Sequence, residues 1–118
     1  MMKRLAVASL FLALSCLGAL AQTVAATTNG SVAITTGNTF QTVLTAVTTN
    51  AQRRSLTIQN NNASDSCWLF IGTGSATKGT AILLASGQAY TRYYPYIPTD
   101  AIQATCATTA DTLYIDNQ

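Results

Sequence analysis

Histidine and glutamate do not occur in this sequence, and their absence removes most familiar catalytic chemistry. Without an imidazole there is no Ser-His-Asp or Cys-His nucleophilic centre and no histidine-based metal site. Without glutamate, a paired-carboxylate hydrolase has to be built from Asp65, Asp100, Asp111 and Asp116. All four stand beside turn-forming residues, where aspartate is common because its side chain bonds local backbone groups. The expectation is a protein that is not an enzyme and needs no cofactor or metal, with an aspartate-pair hydrolase as its weakest rival. Charge is scarce too, at 8% of residues. Exposed helices normally draw on Glu, Lys and Arg, so this scarcity, with abundant β-branched residues, favours strands.

Long apolar runs are missing except near the start. Met1-Met2-Lys3-Arg4 is basic, residues 5–17 are almost wholly apolar, and Ala19-Leu20-Ala21-Gln22 places small residues where signal peptidase reads them. This three-part pattern predicts a helical, cleavable signal peptide over residues 1–21, its apolar part too short to span a bilayer. Cys16 admits a competing lipoprotein reading, but Ala13-Leu14-Ser15 swaps the residue sizes that a lipidation site wants. A secreted or periplasmic product with no stable membrane span follows. Lys3 and Arg4 leave with the leader, and Arg53, Arg54, Lys78 and Arg92 then balance the four aspartates. A neutral domain has no counterion-release drive towards nucleic acid and no polybasic attraction to membranes.

Two cysteines remain, Cys67 and Cys106. In an oxidising compartment an even count in a small domain reads as one disulfide. That bond requires segment 67–71 to lie beside segment 101–107, or across a sandwich from it. The roughly 97 residues after the leader suffice for one domain. A loose segment over 22–39, with a first strand inside it at 31–36, leads into a β-domain over 40–118. Residues 40–47 alternate polar and apolar. In a strand over 54–60, Leu56 and Ile58 share one face while Ser55, Thr57 and Gln59 share the other. Segment 67–71 is apolar on both faces, which predicts a central strand or a contact surface. Further strands are expected at 81–85, 89–96, 101–107 and 112–116, each bounded by turn residues. Seven or eight short strands at such spacing indicate an all-β fold, a small β-sandwich or jelly-roll-like domain.

Three segments invite a functional reading. Residues 72–80 are rich in glycine and contain Lys78, but Lys78 precedes Gly79 and no helix follows, so a hairpin loop is expected rather than a phosphate loop. Asn60, Asn62, Ser64 and Asp65 are rich in oxygen but too poor in carboxylates for calcium, and a solvated, turn-forming cluster is the better account. Tyr90, Arg92, Tyr93, Tyr94 and Tyr96 form the one concentrated surface-like group. On a strand over 89–96, Tyr90, Arg92, Tyr94 and Tyr96 project to one side. Tyrosine faces beside an arginine suit a sugar ring or a protein partner. Pro95 removes a backbone donor and so suits an edge strand, and an edge carrying exposed aromatics calls for a cover.

The series Arg53-Arg54-Ser55-Leu56-Thr57-Ile58-Gln59-Asn60, Phe70-Ile71-Gly72-Thr73-Gly74, Ile82-Leu83-Leu84-Ala85-Ser86-Gly87 and Ile97-Pro98-Thr99-Asp100-Ala101-Ile102 resembles small β-sandwich proteins of bacteriophages and prophage regions. The resemblance covers about residues 40–116. Some members of that group are virion-associated accessory or decoration-like components. The resemblance implies a structural role and no catalytic residue. The leader and the cysteine pair depart from the pattern and admit a host-exported relative. The resulting expectation is an exported structural or surface-binding module that contacts a protein or glycan surface or forms a homo-oligomer. The alternative is a carbohydrate-binding module using Tyr90, Arg92, Tyr94 and Tyr96.

Overall fold

The period-two alternation read above becomes strands in a computed structural model, which describes residues 28–48 and 53–118. The expected leader, its cleavage site, Cys16 and the lead-in up to residue 27 lie outside the described residues, as do residues 49–52. Eight strands follow in chain order: β1 (Thr28–Ala33), β2 (Gln41–Leu44), β3 (Ser55–Asn60), β4 (Cys67–Ile71), β5 (Ile82–Leu84), β6 (Ala89–Tyr93), β7 (Ile102–Cys106) and β8 (Thr112–Asn117).

They form two four-stranded sheets, β1-β8-β3-β6 and β2-β7-β4-β5. β1 pairs with β8, β2 with β7, β3 with β6 and β4 with β5, all antiparallel. This nesting is an antiparallel ribbon with its tip at β4–β5, rolled up so that β3 also meets β8 and β4 also meets β7. The result is a jelly roll, a β-sandwich made of two Greek keys. The start of the first strand differs from the sequence reading, and the second and sixth strands are shorter than expected. β1 pairs with β8 from Thr28 onward, so the sheet begins inside the segment expected to be loose. Small polar residues conceal this strand, because Val32 is its one large apolar residue.

Strand parity places the core. In β3, Leu56, Ile58 and Asn60 are buried and the residues between them half-exposed; in β8, Leu113 and Ile115 point inward. They meet Cys67, Leu69, Leu84, Ile102, Ala104 and Cys106 of the other sheet, with Ile34 and Ile97 added from the loops. The core is aliphatic: no aromatic residue is fully buried among the described residues. Cys67 and Cys106 face each other on the neighbouring strands β4 and β7. They are bonded, with Cα atoms 4.0 Å apart, so the expected strand proximity takes the side-by-side form.

Two loops are seated by specific contacts. Asn38 N–H donates to the Cys106 carbonyl at 2.8 Å and Gly37 N–H to Thr109 Oγ1 at 2.9 Å. A Cβ at Gly37 would fall 2.9 Å from the Ala107 carbonyl oxygen, so only glycine allows the approach. Asn60, expected in a solvated cluster, is instead fully buried. Its Nδ2 donates to the carbonyls of Asp65 at 2.7 Å and Leu84 at 3.0 Å, and its Oδ1 accepts from the backbone and side-chain amides of Asn62. Buried backbone groups need partners, and an asparagine supplies donors and acceptors together.

Candidate functional site

β6 is an edge strand of its sheet. Its register sets Tyr90 opposite Ile58 and Arg92 opposite Leu56. Residues paired in this way project to the same face, so Tyr90 and Arg92 lie on the inner side. Tyr90 packs against the core, and the Arg92 guanidinium sits over its ring, 4.6 Å from the centroid. Tyr93 projects to the outer face. The strand ends there: Pro95 has no amide to continue the ladder, and Tyr96 N–H donates to the Tyr93 carbonyl at 2.9 Å to close a turn.

This corrects the expected arrangement. Tyr90, Arg92, Tyr94 and Tyr96 do not share one face of one strand. Tyr90 and Arg92 flank the opening between the sheets, whereas Tyr94 and Tyr96 stand on the turn. Tyr93, Tyr94 and Tyr96 are 66%, 63% and 82% exposed. Aromatic side chains have the largest area to remove from water, yet this domain fills its core with aliphatics and leaves three tyrosines in solvent.

The turn is held from below. Tyr94 N–H donates to the Arg54 carbonyl at 3.0 Å, and Ile97 is buried in the core. Arg53, also fully buried, donates through Nη1 to the Pro98 carbonyl at 2.6 Å and the Asp100 carbonyl at 3.2 Å, and through Nη2 to the Thr45 carbonyl. Its Nε has no partner. Burial pushes the Arg53 pKa down from its ordinary value, and the charge of Asp100 works the other way; a guanidinium stays protonated in either case. Sequence reasoning missed Arg53. Strand parity groups Arg54 with Leu56 and Ile58, but the strand starts at Ser55, so Arg54 is exposed and Arg53 turns inward. The one available signal was an arginine pair at the foot of a strand in a chain with little charge.

Comparison with known protein families, with curated proteins and with solved structures finds no match.

The remaining candidates have local structural roles. The glycine-rich loop contains a short 3-10 turn at Lys78–Thr80 and folds back so that Lys78 Nζ lies 3.9 Å from the centroid of the Trp68 ring. The same ammonium donates to Asn38 Oδ1 at 2.5 Å, so Lys78 clamps two loops over the outer face of β4. Trp68 is the sole tryptophan in the sequence, which makes its fluorescence a specific reporter. Lys78→Ala is expected to shift Trp68 emission and to cost about 0.5–1 kcal/mol in urea unfolding; an unchanged spectrum would argue against the clamp. Asp111 Oδ2 accepts from Thr108 N–H at 3.1 Å in a turn. No group of three or more His, Cys, Asp or Glu residues suited to a metal occurs among the described residues. Nor is any helix among them long and apolar enough to cross a membrane.

Proposed function

We propose that this chain is an exported, non-catalytic jelly-roll module that acts by surface contact, a structural or surface-binding component akin to phage accessory proteins. The observation that carries the reading is the set of three solvent-facing tyrosines at the end of β6 and on the turn that follows it, a turn held in place by buried Arg53 and Ile97. Burying aromatic rings of this size against a partner yields more than any other contact the domain offers. The Cys67–Cys106 disulfide is compatible with an oxidising, exported location. Capsid and lectin domains both use the jelly roll, an analogy of fold that suits a structural and a glycan-binding role equally. Carbohydrate binding is the second reading, favoured by the Arg92–Tyr90 stack beside the exposed rings.

The test has two arms. Mass spectrometry of particles and of the secreted fraction should find the protein there, with its N-terminus at Gln22; retention inside the cell counts against export. A Tyr94→Ala/Tyr96→Ala double variant should lose co-purification, or glycan-array binding under the second reading. Its stability should stay within about 0.5 kcal/mol of wild type, since exposed side chains contribute little to folding. A variant that unfolds would reassign both tyrosines to structure.

A further inference from the structure

Segment 67–71, apolar on both faces in the sequence, is the inner strand β4 of its sheet. Cys67 and Leu69 face the core, so Trp68 and Phe70 project from the opposite, outer face, where both stay half-buried. Strand register extends that face. Leu83 of β5 and Thr105 of β7 flank Trp68, Gln103 of β7 flanks Phe70, and Thr42 of β2 stands beyond Gln103; residues paired in this way project to the same side. Trp68, Phe70 and Leu83 therefore form one apolar triangle, with Trp68 roughly 5–7 Å from each of the other two along the backbone. Thr105 is fully buried and Leu83 is 53% exposed, so the face opens at Leu83 and along the row of Phe70, Gln103 and Thr42. An antiparallel sheet with one solvated face normally turns polar residues outward. This one keeps its tryptophan and a phenylalanine there while the core stays aliphatic. Its four strands contain no charged residue, and the charge placed on the face is Lys78, folded over the indole.

We infer that the outer face of the β2-β7-β4-β5 sheet binds an acidic sugar unit of a glycan, its ring against Phe70 and Leu83 beside Trp68 and its carboxylate on Lys78. Each part of that ligand has a counterpart. A pyranose ring has apolar C–H groups on its face and hydroxyls around its rim, which suits an aromatic platform bordered by the Gln103 amide and the Thr42 hydroxyl. An ammonium has three donors. Lys78 uses one on Asn38 Oδ1, so it can take a carboxylate while it stays on the indole, and no carboxylate from the four strands competes for it. Area decides against a protein partner. One exposed leucine and two half-buried rings offer on the order of 200 Å², about a quarter of each partner's share in a standard interface. That is enough for a sugar ring. A single cation is too little for a nucleic-acid backbone, whose binding depends on neutralising several phosphates. The site lies on the sheet that does not contain β6, so it goes beyond the tyrosine turn and does not depend on it.

The test is titration of the purified protein with three acidic probes, a galacturonate tetramer, a mannuronate tetramer and sialyllactose, and with their methyl esters as uncharged controls. The emission of Trp68, the sole tryptophan, reports binding. At least one acid should shift it with a Kd on the order of 1 mM or below, and its ester should bind about tenfold more weakly. Lys78→Gln, which keeps a donor but removes the charge, should weaken the acid to the level of the ester, and Lys78→Arg should restore most of the affinity. Leu83→Asn, at an exposed position, should weaken acid and ester alike while urea midpoints match wild type. No response to any acid up to about 10 mM, a range that covers weak single-ring contacts, overturns the inference. So does an ester that binds as tightly as its acid, or binding indifferent to both Lys78→Gln and Leu83→Asn. Binding lost in Tyr94→Ala/Tyr96→Ala but kept in Lys78→Gln moves the glycan to the tyrosine turn, which overturns this site and supports that one.

Discussion

Replacing Arg53 with methionine is expected to destabilise the domain by about 3 kcal/mol or more. The guanidinium donates to three carbonyls, those of Thr45, Pro98 and Asp100, which belong to two separate loops. A hydrogen bond from a charged group contributes about 1.5–3 kcal/mol, and methionine fills much of the volume without supplying any donor. Arg53→Lys should recover only part of the loss, because a single ammonium cannot reproduce a planar fork aimed at separate acceptors. Urea unfolding with an unchanged m-value measures this directly. Losses below about 1 kcal/mol in both variants would mean that water replaces the arginine, and that Arg53 does not hold the loops. Because the Pro98 carbonyl lies just past the tyrosine turn, Arg53→Met should also weaken any contact made through Tyr94 and Tyr96. It should do so under conditions where the variant remains folded, unlike a defect of folding alone.

Removing the disulfide by Cys67→Ala/Cys106→Ala is expected to cost about 4 kcal/mol, following the loop-entropy relation for a separation of 39 residues. For a domain of this size that corresponds to a fall in Tm of roughly 20 °C. It is a large fraction of the whole stability of a small domain. Both cysteines are fully buried, so a reductant should act on the native protein only as fast as the β4–β7 pair opens, and calorimetry of the double variant avoids that delay. A shift below about 5 °C would show that the unfolded chain is already constrained near this pair. Alanine isolates the cross-link, since serine would add buried hydroxyls with no assured partner.

Several parts of this fold were readable from residues alone, and they share a cause. β4 was located at Cys67–Ile71, the observed span, because a run apolar on both faces and bounded by polar loops depends on nothing distant. In β3, parity correctly put Leu56 and Ile58 inside. The tyrosine segment was recognised as an edge with a surface character, and β6 is an edge. Its geometry was not readable. Strand parity continued past Tyr93 would set Tyr94 and Tyr96 beside Tyr90, but the turn at Pro95 reorients them. Asn60 failed for a related reason. Asn-Asn-Asn spells a solvated loop locally, while the packing of β5 and β8 against that loop converts its first asparagine into a buried hub.

Residue pattern alone was enough for the β class, the approximate strands, the candidate pairing of Cys67 with Cys106, and the exclusion of histidine and glutamate chemistry. These follow from composition and from a two-residue period, both local properties. Tertiary structure decided the rest: the rolling of the ribbon into two sheets, the choice of Arg53 over Arg54 for burial, and the ending of β6 at Tyr93, which takes Tyr94 and Tyr96 off the strand that carries Tyr90. Each of these depends on which strands become edges. That is set by pairings such as β1 with β8 and β3 with β6, between residues far apart in the chain, where the free energy of a contact depends on neighbours that no local pattern specifies.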